Sequence, residues 1–469
     1  MRLRRTESNQ GNGRLAAMLP AVMALLLPGF AWASVVVNPY ADVDWAAFEQ
    51  HRANLHTHTT QSDGEGDPDV VIDTYHQLGY TILALTDHNR CTYPWQNWGR
   101  DPDALGMLAI AGNEPSRHHH LNSFFIAYET ASTVFEQTVE EIAAAGGLAH
   151  INHPGRYWNL TGGEVPADAL AGYVNWLNTY DILLGIEVIN SFNRYPHDRV
   201  LWDALLSEMM PDRPVWGFSN DDMHALILAG LSYNVFLLPA LTEADVREAM
   251  LKGQFYFCYI RTFNAADAPN TPTITAIDHD AGAGIIAISA VSSGAPLPDE
   301  DYQWISDGNV VHIGPVLNYR TTPGIGRYVR AELIGTGGTT FTNPFGFGGN
   351  GILRVDISPP AAADEGARWL VQGEPTWRES GEEIELPPGE YAVMFRPISG
   401  WLAPDPITVQ VFSDLTTVVG EAEGAVYVFA PGHRLPAAGW GVRTALAIII
   451  ALCAGAWALR GGKCAPRRQ

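Results

Sequence analysis

The sequence predicts a chain of mixed α/β class, with a βα barrel over residues 34–262 followed by one or two all-β, sandwich-like modules. Three observations predict it. Short apolar runs alternate with stretches of helical periodicity from about Asn38 to Ile260. Histidines and carboxylates follow those runs within a few residues. After Thr262 the pattern changes to alternating runs broken by turn clusters. At 469 residues, 46% hydrophobic and 17% charged, the chain is long enough for several domains and apolar enough to give them cores.

The elements are justified in chain order. Arg2, Arg4, Arg5 and Arg14 precede the apolar run Leu15 to Phe30, which closes on Ala31-Trp32-Ala33. A basic start, a short apolar run and a small-residue site predict a signal peptide over residues 1–33 and an exported chain beginning near Ser34. The apolar runs that follow include Ile82-Leu83-Ala84-Leu85, Leu108-Ala109-Ile110, Phe124-Phe125-Ile126, Gly147-Leu148-Ala149, Ile186-Glu187-Val188-Ile189 and Val215-Trp216-Gly217-Phe218. Helical spacing between them, as in Thr138 to Ala145 and Val200 to Met209, predicts parallel strands joined by helices. About 220 residues suit a barrel, whose strand ends converge at one mouth. The β modules are expected over 263–350 and 351–430, meeting near the Gly-rich Gly346 to Gly351. At the end, Thr444 to Leu459 is an uncharged run with Arg443 before it and Arg460, Lys463, Arg467 and Arg468 after it. Residues 431–469 therefore read as a membrane anchor or a processed sorting tail. The expected location is the cell envelope, anchored by that helix or released from it.

Charge excludes one class of function. The ends carry +3 (residues 1–33) and +6 (residues 434–469), so the −23 of the whole chain leaves −32 between them. So acidic a body repels phosphate backbones, and a nucleic-acid partner is not expected. The cysteines, two of which (Cys453 and Cys464) lie in the basic tail, make no disulfide framework.

Twelve of the fifteen histidines fall between His51 and His224. His56 and His58 alternate on a first strand, so both imidazoles share a face. Asp63, Asp87-His88, Glu114, His118-His119-His120, His150 with His153, and Asp221-Asp222 with His224 follow. A lone histidine is usually packing or surface. Successive strand ends that each finish in His or carboxylate are another matter, because unpaired charges aimed into a barrel are costly. Imidazole and carboxylate without thiolate suit two or three divalent ions of Zn, Mn or Fe. Arg156, three residues after His153, is the best candidate to bind an anionic substrate, with Arg90, Arg117 and Arg194 weaker ones. Tyr93, Trp95, Trp98, Tyr157 and Trp158 are expected near the mouth, where they would favour aryl esters or carbamates.

The ordered pieces resemble the PHP (polymerase and histidinol phosphatase) superfamily of metal-dependent hydrolases. They are His56-Thr57-His58 with Ser62-Asp63-Gly64, Thr86-Asp87-His88, Glu114, His120-Leu121-Asn122, Asn152-His153-Pro154-Gly155-Arg156, Ile186 to Asn190, and Asp221-Asp222-Met223-His224. Trp202-Asp203 and Gly253-Gln254-Phe255-Tyr256 resemble a secreted, carbaryl-hydrolase-like branch. The resemblance implies a distorted seven-stranded barrel with three metals. It implies His56, His58, Glu114 and Asp222 on the first, Glu114 bridging to a second with His120 and His153, and Asp63, His88 and His224 on the third. Asp63 stands where many members have His, and Leu121-Asn122 selects His120 from its run of three.

Asp87 and His150 are expected to orient ligands rather than bind metal. Metal ions sharing a water would lower its pKa and supply hydroxide as nucleophile, so no Ser or Cys nucleophile is needed. The expected function is an exported metal-dependent phosphoesterase acting on a small ester. The alternatives are an amidase or esterase for carbamates or aryl esters, and a surface binding protein without turnover.

Overall fold

The computed structural model describes residues 34–129, 132–349, 351–386, 389–411 and 416–430. The expected signal peptide (1–33) and C-terminal anchor (431–469) lie outside the described residues. Among those described, no helix is long and apolar enough to cross a membrane.

Local chemistry explains the barrel helices. Phe135–Ala144 buries Phe135, Thr138, Val139 and Ile142, an i, i+3, i+4, i+7 stripe. Glu243–Lys252 starts where the Thr242 hydroxyl accepts from the Asp245 amide, and stops at Gly253 with φ of 70°. Asp198–Met209 buries Leu201, Trp202, Leu205, Leu206 and Met209 against the sheet.

The strands Glu49–Asn54, Ile82–Ala84 and Leu108–Ile110 pair in parallel. Leu148–Ile151, Leu183–Asn190 and Trp216–Asn220 form a second parallel set. Leu121–Phe124 links to that set but runs antiparallel to its neighbours. Isolated parallel bridges, His88 to Glu114 and Thr57 to Met223, connect the two groups at the mouth. This differs from the expected regular barrel. The ladder is split between two sheets, and two strands, Leu121–Phe124 and Ser232–Leu238, run against their neighbours.

The reversal of Leu121–Phe124 has a chemical reading. A parallel strand presents its C-terminal end to the mouth, so its ligand follows the apolar run. The reversed strand presents its N-terminal end, so its histidine comes before Leu121.

The expected boundary at residue 262 is crossed by backbone pairing. Phe255–Ile260 pairs with Gly338–Thr342, and the same sheet continues through Tyr328–Ile334 and Tyr302–Ser306. Ser34–Val37 pairs with Phe345–Gly348. One apolar core joins Val71, Tyr75 and Leu83 of the barrel to Ile274, Trp304 and Phe345. Residues 263–350 thus share a sheet and a core with residues 34–262 rather than standing apart from them. The 353–427 stretch has a core of its own, built on Leu353, Trp369, Val393 and Tyr427.

A buried ion pair lies at the seam. Arg330, 2% exposed, donates Nε and Nη2 to the two oxygens of Asp203 at 2.7 and 2.8 Å. Its Nη1 donates to Glu332 at 2.6 Å, and the Tyr328 hydroxyl donates to Asp203 at 2.7 Å. The guanidinium sits over the Trp202 ring. The Trp202-Asp203 pair noted in the sequence is the barrel's half of this clamp.

Candidate metal centre

The structure brings the nine candidate ligands together at the mouth. Glu114 is the hub and is fully buried. Its Oε1 lies 3.3 Å from His56 Nε2, 3.0 Å from His120 Nδ1 and 3.2 Å from His153 Nε2. Its Oε2 lies 3.5 Å from His58 Nε2 and 2.7 Å from His88 Nδ1. Asp222 Oδ1 is 3.2 Å from His56 Nε2 and 3.1 Å from His58 Nε2. Asp63 lies 3.5 Å from His88 Nε2 and 3.3 Å from His224 Nε2, with His58 Nδ1 at 3.8 Å. Groups of these side chains have donor atoms close enough to share an ion: His56, His58 and Glu114; His56, His153 and Asp222; His88, Glu114 and His120; and His58, Asp63, His88 and His224.

These spacings fit a metal. Ligands about 2.1 Å from a tetrahedral ion lie about 3.4 Å from one another. More telling, His88 Nδ1 and Glu114 Oε2 are 2.7 Å apart, yet neither is in hydrogen-bonding alignment with any partner. Two buried polar atoms so close and so misaligned are arranged towards a third body. The donor set is nitrogen and oxygen throughout, and Cys91 belongs to none of the groups.

The electrostatics divide the ligands. Burial opposes charge on Glu114, but His56, His120 and His153 outweigh it and hold the carboxyl well below its usual range. Asp222 behaves alike, with His56 and His58 overcoming burial. Both carboxylates stay ionised. Burial prevails at His58 and His120, whose pKa values fall, whereas at His56 and His88 burial is overcome by the surrounding carboxylates, which raise theirs.

Surrounding residues aim the ligands. Glu187 Oε1 faces His56 Nδ1 at 2.8 Å, which leaves His56 Nε2 turned to the centre. Its other oxygen accepts from the His153 amide at 2.9 Å. Asn190 Nδ2 donates to both Glu187 and Asp222, and Asn152 Nδ2 donates to Glu114 Oε1 at 2.9 Å. His153 and Asp222 hold left-handed φ values of 26° and 45°. Such a backbone costs about 1–3 kcal/mol per residue and persists only where neighbours impose it. Gly64 allows the loop to fold back on His58, because a Cβ there would meet the His58 carbonyl at 2.5 Å. That fold brings Asp63 to the site.

The remaining expectations divide. The Asp87 carboxylate accepts from the Thr59 amide and hydroxyl and from the Ser62 hydroxyl, so it braces the loop carrying Asp63, while the Asp87 carbonyl accepts from the Glu114 amide at 3.2 Å. His150 is packed between Phe124 and Phe218, with Asn220 Nδ2 3.4 Å away, and burial pushes its pKa down to about 4. It lies behind the centre and touches no ligand. Asp221, one residue before a ligand, accepts from the amides of Gly230, Leu231 and Ser232 and from the Tyr75 hydroxyl, which fixes the loop after His224. His118 and His119 turn away, to the Thr138 and Tyr173 hydroxyls, so only His120 of the three enters.

A cavity of about 510 Å³ opens over the ligands, with Arg156, Arg194, Tyr195 and Ser116 on its walls. Tyr195 is the one aromatic side chain lining it. The expected aromatic mouth is found in part: Trp95 and Trp158 are buried at 1% and 6% exposure, whereas the exposed Tyr157 accepts from the His120 amide at 3.2 Å and its ring lies 6.0 and 6.3 Å from those of His120 and His153. Ser116 and Tyr195 went unflagged in the sequence, and Asn152 stood there only as the start of the Asn152-His153-Pro154-Gly155-Arg156 piece, without a role of its own.

No protein-family model matches the chain, and no curated protein matches it. Among solved structures it is similar to a two-domain protein from Bacteroides vulgatus that contains a predicted PHP-like metal-dependent phosphoesterase. The identity is 15% over 66% of this chain and 98% of that one, with a TM-score of 0.37. An amidohydrolase from Chromobacterium violaceum is 19% identical over 37% of this chain and 87% of its own, with a TM-score of 0.28. A candidate metal-dependent phosphoesterase from Bifidobacterium adolescentis is 16% identical over 43% and 96%, with a TM-score of 0.29. At scores this low the likeness is similarity alone, and the chemistry has to come from the site.

Proposed function

We propose that the chain is a PHP-type, metal-dependent phosphoesterase for a small phosphate ester, working outside the cytoplasm at the cell envelope. One observation carries the choice of substrate. Arg156 and Arg194 line the cavity over the metal ligands, and neither guanidinium has an ion pair or a hydrogen bond to protein among the described residues. In a body of net charge −32, two cations left without carboxylates beside an acidic cluster are placed for an incoming anion.

Divalent ions held by the nine ligands would activate a water and neutralise charge developing on the ester. The protein's own part is positioning. Arg156 and Arg194 grip the phosphoryl oxygens and turn the ester bond towards the cluster. Glu187 keeps the His56 ring fixed, and Asn190 and Asn152 hold the Asp222 and Glu114 carboxylates in place. The carbamate or aryl-ester reading keeps Tyr157 and Tyr195 near the ligands but gives the two unpaired guanidinium groups no role.

Arg156→Ala and Arg194→Ala should each raise KM for p-nitrophenyl phosphate about 10- to 100-fold with metal content intact, since a charge-assisted contact contributes about 1.5–3 kcal/mol. Steady-state kinetics beside elemental analysis measures this. Unchanged phosphate turnover together with rapid cleavage of aryl carbamates would transfer the assignment to the esterase reading.

Location has a separate test. Cell fractionation should find the full chain with membranes and a chain stopped after Gly432 soluble outside the cytoplasm, both starting at Ser34. Soluble cytoplasmic protein with Met1 intact would overturn export and anchoring together.

A further inference from the structure

A second cavity, of about 380 Å³, lies where the strand Glu49–Asn54 approaches the start of the strand Thr273–Asp280. Alternation along the first strand sends Ala53 into the barrel interior and Arg52 to the outer face, towards the β region. Arg52 lies four residues before His56, about 13 Å along the same strand, and the metal ligands do not line this cavity.

Arg52 is unusual among the chain's enclosed arginines. Arg330 has two carboxylates, and Arg213 donates to three backbone carbonyls. Arg52 makes one long hydrogen bond, from Nη1 to the Leu78 carbonyl at 3.4 Å. Its ionisable neighbours are phenols and the Cys258 thiol, not carboxylates. The guanidinium carbon lies 4.3 Å from the centre of the Tyr233 ring and 5.4 Å from that of Tyr80. Stacking uses the face of the guanidinium and leaves most of its N–H edge free. The Thr81 hydroxyl, 3.1 Å from His51 Nδ1, lines the same cavity, as do the apolar surfaces of Leu78, Val235, Tyr256 and Pro272.

We infer that this junction cavity binds a small organic carboxylate, with its anionic end on the free edge of Arg52 and its apolar body against Leu78, Val235 and Pro272. A single cation beside partly apolar walls suits a monoanion with a hydrophobic body better than a phosphate dianion. The size is that of a small-ligand pocket at a seam between structural units. This site is independent of the metal centre and of the reaction proposed for it.

The test is ¹⁹F NMR of 4-fluorobenzoate titrated with the full chain. Saturable broadening with a Kd below about 1 mM is expected, relieved by excess hexanoate. Arg52→Gln should weaken it about 10- to 100-fold, the range for loss of a charge-assisted contact. The double variant Arg156→Ala/Arg194→Ala should bind as the wild type does, which separates this cavity from the metal cavity. Leu78→Trp, which fills the space and keeps Arg52, should abolish binding and decides the matter if Arg52→Gln does not fold. Absence of saturable binding, equal binding by folded Arg52→Gln, or loss of binding in the Arg156→Ala/Arg194→Ala variant would each overturn the inference.

Discussion

Glu114→Gln should leave a folded protein that has lost bound metal and at least ~10²-fold of its phosphate-ester turnover. The reason lies in the placement of one carboxylate. Five imidazoles, those of His56, His58, His88, His120 and His153, approach its two oxygens to within 2.7–3.5 Å. Ions held by His56 with His58, or by His88 with His120, would share that charge. An amide of the same shape supplies no negative charge, and its N–H₂ would point at imidazole lone pairs that coordination requires. His58→Ala and Asp222→Asn remove one donor each and should lose at least one ion with activity. Elemental analysis and kcat/KM before and after metal loading provide the measurements. Full activity from chelator-treated, metal-free protein would end the metal-centre reading.

The second large effect is on stability. Arg330→Met should destabilise the chain by about 3–5 kcal/mol, because it strands Asp203 in a buried seam without its cation and leaves Glu332 only the Arg199 guanidinium, 3.6 Å away. Replacing all three residues with apolar ones should recover most of that loss, since the pair's attraction largely offsets its own desolvation. Urea denaturation of the single and triple variants measures both. A single variant within about 0.5 kcal/mol of wild type would show that water already reaches the clamp.

The site was more legible than the architecture around it. Ligands announced themselves through short spacings at strand ends, as in His56-x-His58 and Asp222-x-His224, where local pattern and chemistry coincide. Of the residues that aim them, Glu187 and Asn190 showed only as the end of a strand at the mouth, with aiming a ligand and touching substrate equally open. Glu187 is one carboxylate in a run of buried apolar residues, and nothing in its neighbours tells which ligand 131 positions away it meets. Arg194 and Tyr195 reach the cavity from a loop, where no periodicity indicates direction. The reversal of Leu121–Phe124 was equally hidden, because an apolar run carries no mark of its orientation. The seam at residue 262 failed for a related reason. The pairing of Phe255–Ile260 with Gly338–Thr342 spans about eighty residues of sequence and leaves no local trace.

The pairing of Ser34–Val37 with Phe345–Gly348 bears on how the chain is made. Ser34 lies opposite Gly348, so the first strand has no partner until more than three hundred further residues have left the ribosome. The core it borders is closed by Ile274, Trp304 and Phe345, which are also late arrivals. Contacts of such long range fold slowly, and their unpaired edges stay open meanwhile. The sheet and core shared by residues 34–348 therefore cannot be completed until the strand Phe345–Gly348 has been synthesised.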